Sequence, residues 1–318
     1  MPQLPRLVLL LGACMWLCGA RAQVEEDTIT NVYQLGELVI RGHAQGLDVE
    51  GFVRQVMEDT TFQQAFLNTK YHPHRVKSEL RVRNKGERET AYLYRSGRLV
   101  RNGALATLAL DSTAEHGKLR SKDGSMRYLT AEMYDDVFFP KGTWTANARL
   151  GPKEQAIQRG SKFEKYKSEL KKFMFNPGQE IASVPMIGDK LALFDPKMLP
   201  LYDYTIDSGT RGEHPCWVFS AVAKDTVRGK PADEDDTVIK QMTTWFDQST
   251  MQVIAREYRI AHASLLLDFD ITIKVDNSLL NGALLPVLVQ YEGDWDIPFK
   301  KREIVRFYLL MDQWQVVP

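Results

Sequence analysis

Cysteine, charge of one dominant sign and long apolar runs are all scarce in this sequence, and each scarcity removes a class of protein. The chain has 3 cysteines in 318 residues, too few for a small disulfide-built scaffold. Lys plus Arg and Asp plus Glu each number 41, so there is no basic surplus to attract nucleic acid and no acidic surplus to solvate a tail. Beyond residue 22 no uncharged apolar stretch approaches the roughly 20 residues that a membrane-crossing helix needs. Missing too are a Gly-x-Ser-x-Gly elbow, a His-Glu-x-x-His pair and a phosphate-binding loop. The sequence therefore assigns no catalytic residue, no metal ligand and no cofactor. What it has is 44% apolar and 10% aromatic residues, enough for a proper core and too much for a disordered chain.

The first 22 residues read as a secretory signal peptide. Arg6 is a short positive region, Leu7 to Leu17 an apolar run, and Ala20-Arg21-Ala22 a small-x-small cleavage site. The expectation is an exported protein of the periplasm or the outer-membrane periphery, with no transmembrane segment in the mature chain. A rival is a lipoprotein box, Leu11-Gly12-Ala13-Cys14, but the residues after it, Met15-Trp16-Leu17, are still apolar. Cleavage at Ala22 also removes Cys14 and Cys18. Cys216 is then left alone, so packing without disulfides must hold the fold.

Strand periodicity dominates the rest. From Ser264 to Asp276, Leu265, Leu267, Phe269, Ile271, Ile273 and Val275 share one parity, while Ser264, Asp268, Asp270, Thr272, Lys274 and Asp276 take the other, broken only by Leu266. Side chains alternate faces along a strand, so this one has an oily side and a wet side. Further strands are expected at Leu201–Ile206, Cys216–Lys224, Thr237–Phe246, Met251–Ile260, Pro286–Glu292 and Glu303–Met311. Asp247 to Thr250 suits a tight turn and Asn277 to Gly282 a longer one. In the first half, Val32–Gly42 reads as a strand, and Arg75–Arg83 and Arg88–Arg95 as a hairpin through Asn84-Lys85-Gly86. Short strands follow at Ala104–Leu110, Lys118–Arg120 and Met126–Thr130.

Helical spacing is confined to two regions. Asp48 is placed to cap a helix with Val49, Phe52, Val53, Val56 and Met57 on one face, and Asp59-Thr60 restarts a second with Phe62, Ala65 and Phe66. Ser161-Lys162-Phe163-Glu164 is a capping box opening a helix over about 162–175, with Phe163, Tyr166, Leu170 and Phe173 as its stripe. Its lysine-rich opposite face is read as solvated. The fold class is α+β, mainly β: a curved antiparallel sheet, an unclosed half-barrel, packed with a few helices. One domain covers 23–318, its strands falling at about 75–130 and 201–311.

Several residue groups invite chemistry and have plainer explanations. His72-Pro73-His74 offers two imidazoles without a third ligand, so a polar loop is expected. His214 and Cys216 share one side of a strand, yet Cys216 begins the run Cys-Trp-Val-Phe, which suits a buried, inert thiol. Asp268, Asp270, Asp294 and Asp296 are plentiful carboxylates whose spacing does not show convergence, and Asp233 to Asp236 is a solubilising loop. Gly293 to Pro298 reads as a tight loop carrying Trp295.

Tyr202-Asp203-Tyr204, Glu213 to Phe219, Trp245-Phe246-Asp247 with Thr250, and Val253-Ile254-Ala255-Arg256 together form a pattern. It resembles that of exported Gram-negative proteins with a lipoprotein-carrier-like half-barrel, close to a bacterial envelope family of unknown function. That resemblance implies a curved sheet around an apolar concavity that holds acyl chains. It leads to a non-enzymatic envelope protein binding a lipid or lipoprotein, with Leu265, Leu267, Phe269, Ile271, Ile273 and Trp245 as lining. The alternatives are a module docking on an outer-membrane or other envelope protein, and a hydrolase using its acids or His214 with Cys216.

Overall fold

The computed structural model describes residues 31–35, 38–42, 46–147, 177–179, 187–264, 268–296 and 302–317. The signal-peptide reading, the helix at about 162–175 and the residues Leu265 and Leu267 lie outside these.

The strands are β1 (Asn31–Leu35), β2 (Leu38–Gly42), β3 (His74–Arg83), β4 (Glu89–Asn102), β5 (Leu105–Gly117), β6 (Thr143–Thr145), β7 (Tyr202–Arg211) and β8 (His214–Ala223). Then come the small pair β9 (Thr226–Val227) and β10 (Lys230–Pro231), and β11 (Ile239–Asp247), β12 (Val253–Ala263), β13 (Asp268–Leu280), β14 (Ala283–Asp296) and β15 (Glu303–Asp312). Thirteen of them form one open sheet in the order β1-β2-β7-β8-β11-β12-β13-β14-β15-β3-β4-β5-β6. Every described pairing is antiparallel except β2 with β7. β15 closes the middle of the sheet by pairing with β3, joining strands from opposite ends of the chain. The curved, unclosed half-barrel expected from the sequence is the observed architecture.

One face of this sheet is concave and oily. Val76, Leu80 and Val82 of β3, Phe269, Ile271, Ile273 and Val275 of β13, and Val305, Phe307 and Leu309 of β15 are all buried in a single cluster. Asp270 and Lys274, of the other parity in β13, are exposed. Among the described residues three α-helices pack into the hollow: α1 (Val49–Glu58), α2 (Thr61–Asn68) and α3 (Leu129–Phe138). Asp48 caps α1 by accepting from the Gly51 amide at 3.0 Å. Asp59 opens α2, its carboxylate accepting from the Thr61 amide at 3.0 Å and the Phe62 amide at 3.4 Å.

The structure departs from the sequence reading in five places. The stretch 32–42 is a pair of short strands and not one. Lys118–Arg120 makes only a single bridge, Arg120 with Met126. Met126–Thr130 is no strand, because α3 begins at Leu129. The turn after β13 is only Asn281-Gly282, with φ of 50° and 80°; two left-handed residues in succession make the tight hairpin that suits twisted strands. Finally, Gly293 to Asp296 continue β14, because Trp295 turns inward to meet Phe269 at 5.4 Å between ring centroids; the rest of the expected loop lies outside the described residues.

Arg256 of β12 carries the main polar link between sheet and helices. Its guanidinium lies 3.5 Å from the Asp59 carboxylate, with 4% and 2% of the two side chains exposed, and it covers the Phe62 ring at 4.4 Å. Replacing one partner of a buried pair leaves the other charge unsatisfied. Arg256→Met is therefore expected to lower stability by about 3 kcal/mol or more, and Asp59→Leu together with Arg256→Met by less than Arg256→Met alone. Urea denaturation of the three proteins checks both statements, and a double variant weaker than Arg256→Met contradicts the pairing.

Candidate functional site

The hollow of the sheet is where an apolar ligand would sit, so its occupancy decides what the site can be. α1 packs Phe52 edge-on to Phe246 of β11 at 5.2 Å. α3 stacks Tyr134 on Phe307 of β15 at 4.0 Å and meets Tyr291 of β14 at 5.3 Å. Phe66 of α2 and Phe138 of α3 touch at 6.1 Å, joining the helices over the middle of the sheet. Phe269, Ile271 and Ile273 face the concave side, as the alternation required, and belong to this packed cluster. Trp245 does not join them. Its neighbours in β11, Thr244 and Phe246, point into the hollow, while Trp245 lies beneath the Arg211 guanidinium at 4.6 Å. Arg211 is itself bound to Glu257 and Asp276 on the wet face.

A gap in the packing lies beside α3. Val137 and Phe138 on the helix, Val76 of β3, Leu99 of β4, Leu108 of β5 and Met311 of β15 form its apolar walls, with Thr69, Lys70, His74 and Pro140 completing it. It is a small, shallow recess whose lining side chains are mostly buried. Its cause is local: α3 stops at Phe138 and the chain turns away through Pro140 to β6, so among the described residues no helix lies above the start of β3, the end of β4 and the start of β5. Leu110, next along β5, is 49% exposed. Of these residues only His74 stood out in the sequence, as half of the His72-Pro73-His74 pair, and the apolar walls did not, since five separate elements supply them.

α3 is held by polar groups at one end and midway. Glu303 of β15, 6% exposed, accepts from the Leu129 amide at 2.8 Å and the Thr130 amide at 3.3 Å. Carboxylates at a helix N-terminus meet free amides and the positive end of the helix dipole. Further along, Asp135 is paired with Arg95 of β4, both buried, and Arg95 in turn covers the Phe139 ring at 3.8 Å.

The residues weighed for chemistry fall into quieter roles. Cys216 is fully buried, its thiol donates to the His214 carbonyl at 3.3 Å, and burial pushes its pKa up. The His214 ring turns elsewhere, its Nδ1 lying 3.1 Å from Asp247. Asp247 is occupied as a turn anchor: burial raises its pKa, but hydrogen bonds from Ser249, Thr250 and His214 outweigh that and bring it down to about 2. Asp270 and Asp294 are each held by an arginine, Arg259 and Arg302. Among the described residues no group of three His, Cys, Asp or Glu is placed to hold a metal, and no helix is long and apolar enough to cross a membrane. A buried thiol with a raised pKa reacts slowly. In protein whose only cysteine is Cys216, no more than about a tenth of the thiol is expected to react with Ellman's reagent over minutes before unfolding, and all of it afterwards. Rapid native labelling contradicts the burial.

No family model and no curated protein matches the chain. Among solved structures it is similar to a DUF1329 family protein from Desulfovibrio piger, at 8% identity and a TM-score of 0.22, covering 80% of this chain and 91% of that one. It is similar to a domain described as an outer-membrane lipoprotein-sorting protein from Vibrio parahaemolyticus, at 8% identity and 0.26, covering 81% and 92%. A LolA superfamily protein from Nitrosomonas europaea shows 10% identity and 0.23, covering 81% and 94%. Likeness at this level leaves function to be argued from the chain's own cleft and core.

Proposed function

We propose that this chain is a non-enzymatic envelope protein that takes one apolar chain of a lipid, or of a lipid-modified partner, into the cleft between α3 and β3–β5. The cleft itself supports the reading. It is an apolar recess at the margin of the packed hollow, Leu110 two residues along β5 is exposed, and Lys70 stands among its lining residues, where an anionic end group could meet it. Apolar walls with few polar groups are the usual make-up of a small-ligand site. Export to the periplasm, read from the first 22 residues, gives such a protein its lipid and lipoprotein surroundings.

The filled remainder of the hollow favours a second reading, a module that docks on another envelope protein without carrying anything. Organic extraction and native mass spectrometry of the protein purified from envelopes separate the two. The carrier reading expects a copurifying acyl-chain molecule. It also expects Leu108→Trp, which fills the cleft from the β5 side, to reduce that molecule about tenfold, the loss of some 1.4 kcal/mol of binding, with circular dichroism unchanged. Bare wild-type protein, recovered with a cross-linked protein partner and no lipid, overturns it in favour of docking.

A further inference from the structure

Past β15 the chain doubles back as a strap. Gln313 takes a φ of 54°, a left-handed turn that sends the following residues alongside the start of β3. Three contacts hold them there. The Gln315 amide donates to the Pro73 carbonyl at 2.9 Å, the Val317 amide donates to Nδ1 of His72 at 3.2 Å, and the Trp314 ring stacks on His74 with centroids 4.0 Å apart and planes at 24°. The Trp314 indole N–H is buried without a hydrogen-bond partner among the described residues, so no polar bond from the ring adds to the hold.

One of the three contacts requires a neutral histidine, and burial opposes a proton on the other ring. Nδ1 of His72 accepts the Val317 amide only while it carries no proton. His74 is 6% exposed, and its Nδ1 sits 2.8 Å from the His72 carbonyl. A carbonyl only accepts, so Nδ1 bears the hydrogen and Nε2 is the nitrogen that titrates. A proton there puts a charge in a buried place, and that burial outweighs the attraction of an indole face for a cation. His74 is also one wall of the cleft beside α3.

We propose that residues 314–317 are an acid-released latch, which rests on His72 and His74 while both are neutral and lifts when they are protonated, uncovering the His74 wall of the cleft. The latch stands whether or not the cleft holds an apolar chain.

The surrounding charges agree in sign. Burial first, and then Arg101 of β4, lower the pKa of His72 from its ordinary 6.5. Burial brings His74 down to about 4, with the His72 carbonyl and Asp312 of β15 opposing and the His72 ring adding to the fall. Lys70 lines the same cleft, and Asp111 of β5 is taken up by Arg75 and Arg98. A group whose pKa is lowered in the closed form favours that form above its ordinary pKa. The strap is therefore held firmly above pH 6.5, loosens as pH falls below it, and is fully released only near the His74 value of about 4.

Amide hydrogen exchange on the full chain, corrected for intrinsic rates, tests this. Between about pH 7.5 and about pH 5, protection of the Gln315 and Val317 amides is expected to fall roughly tenfold or more, with the β15 amides of Val305 to Leu309 unchanged. His72→Asn supplies an oxygen acceptor that does not titrate, and His74→Phe keeps a stacking ring. In the double variant the acid-dependent loss is expected to vanish. Equal wild-type protection at both pH values, or a loss that persists in the double variant, overturns the latch. If the double variant does not fold, the Trp314 signal decides, taken as wild type minus Trp314→Phe: a spectrum that shifts between the two pH values supports the latch, and one that does not overturns it.

Discussion

Buried carboxylates tie the helices to the sheet, and the rest of the molecule is arranged around them. Asp59 accepts from the first amides of α2 and from Arg256 of β12, Glu303 of β15 accepts from the first amides of α3, and Asp135 of α3 pairs with Arg95 of β4. An ion removed from water costs several kcal/mol unless its hydrogen bonds are remade. These ties therefore add little net stability but strongly penalise any other arrangement. If α3 slipped by one turn, Glu303 would lose its amides and Asp135 its guanidinium. Apolar packing alone would tolerate such a slip far better, since oily surfaces attract without direction. Aromatic contacts fill the hollow, and the carboxylates fix which contacts those are.

The cleft follows from that fixed position. With its first turn pinned to β15 and its second to β4, a ten-residue helix has no freedom to extend over the start of β3, the end of β4 and the start of β5. Leu99, Leu108 and Met311 then line a recess where Phe269 and Ile273, deeper in the hollow, lie in a closed core. The same strand pattern thus produces lining in one place and packing in another, and the difference is whether a helix lies above.

That distinction marks what the sequence could and could not disclose. Alternation in 268–276, the caps at Asp48 and Asp59 and the Asn84-Lys85-Gly86 turn all depend on near neighbours, and each was legible. α3 was not, for two physical reasons. All of Leu129 to Phe138 except Glu132 and Asp136 is buried, which erases the polar face that helical periodicity needs. Its cap, moreover, comes from Glu303, 174 residues away, where no local signal can point to it. Trp295 misled in the opposite way: its glycine, acids and proline spell a loop, yet the indole meets Phe269 across the strand pair and holds the segment straight. The cleft depends on where a helix stops, and the helix itself was unseen. Trp245 shows the limit of pattern in a third form, because neither its ring nor its neighbours record that Arg211 would cover it on the wet face.

The uneven anchoring of α3 also bears on how a long guest could be admitted. The recess as it stands is shallow, so a chain of many carbons requires the helix to move. Lifting its first turns would strip Glu303 of its amides and Asp135 of its arginine, the costliest contacts in the hollow. Its last turn is different. Val137 and Phe138 are held by apolar and ring contacts, Phe138 against Tyr134, Phe307 and Phe66, and an apolar guest can replace such contacts in kind. Displacing Phe138 by an acyl chain exchanges one oily surface for another, at the end of the helix that already borders the cleft. A guest entering beside the end of α3 would meet contacts that it can substitute without leaving a charge unpaired.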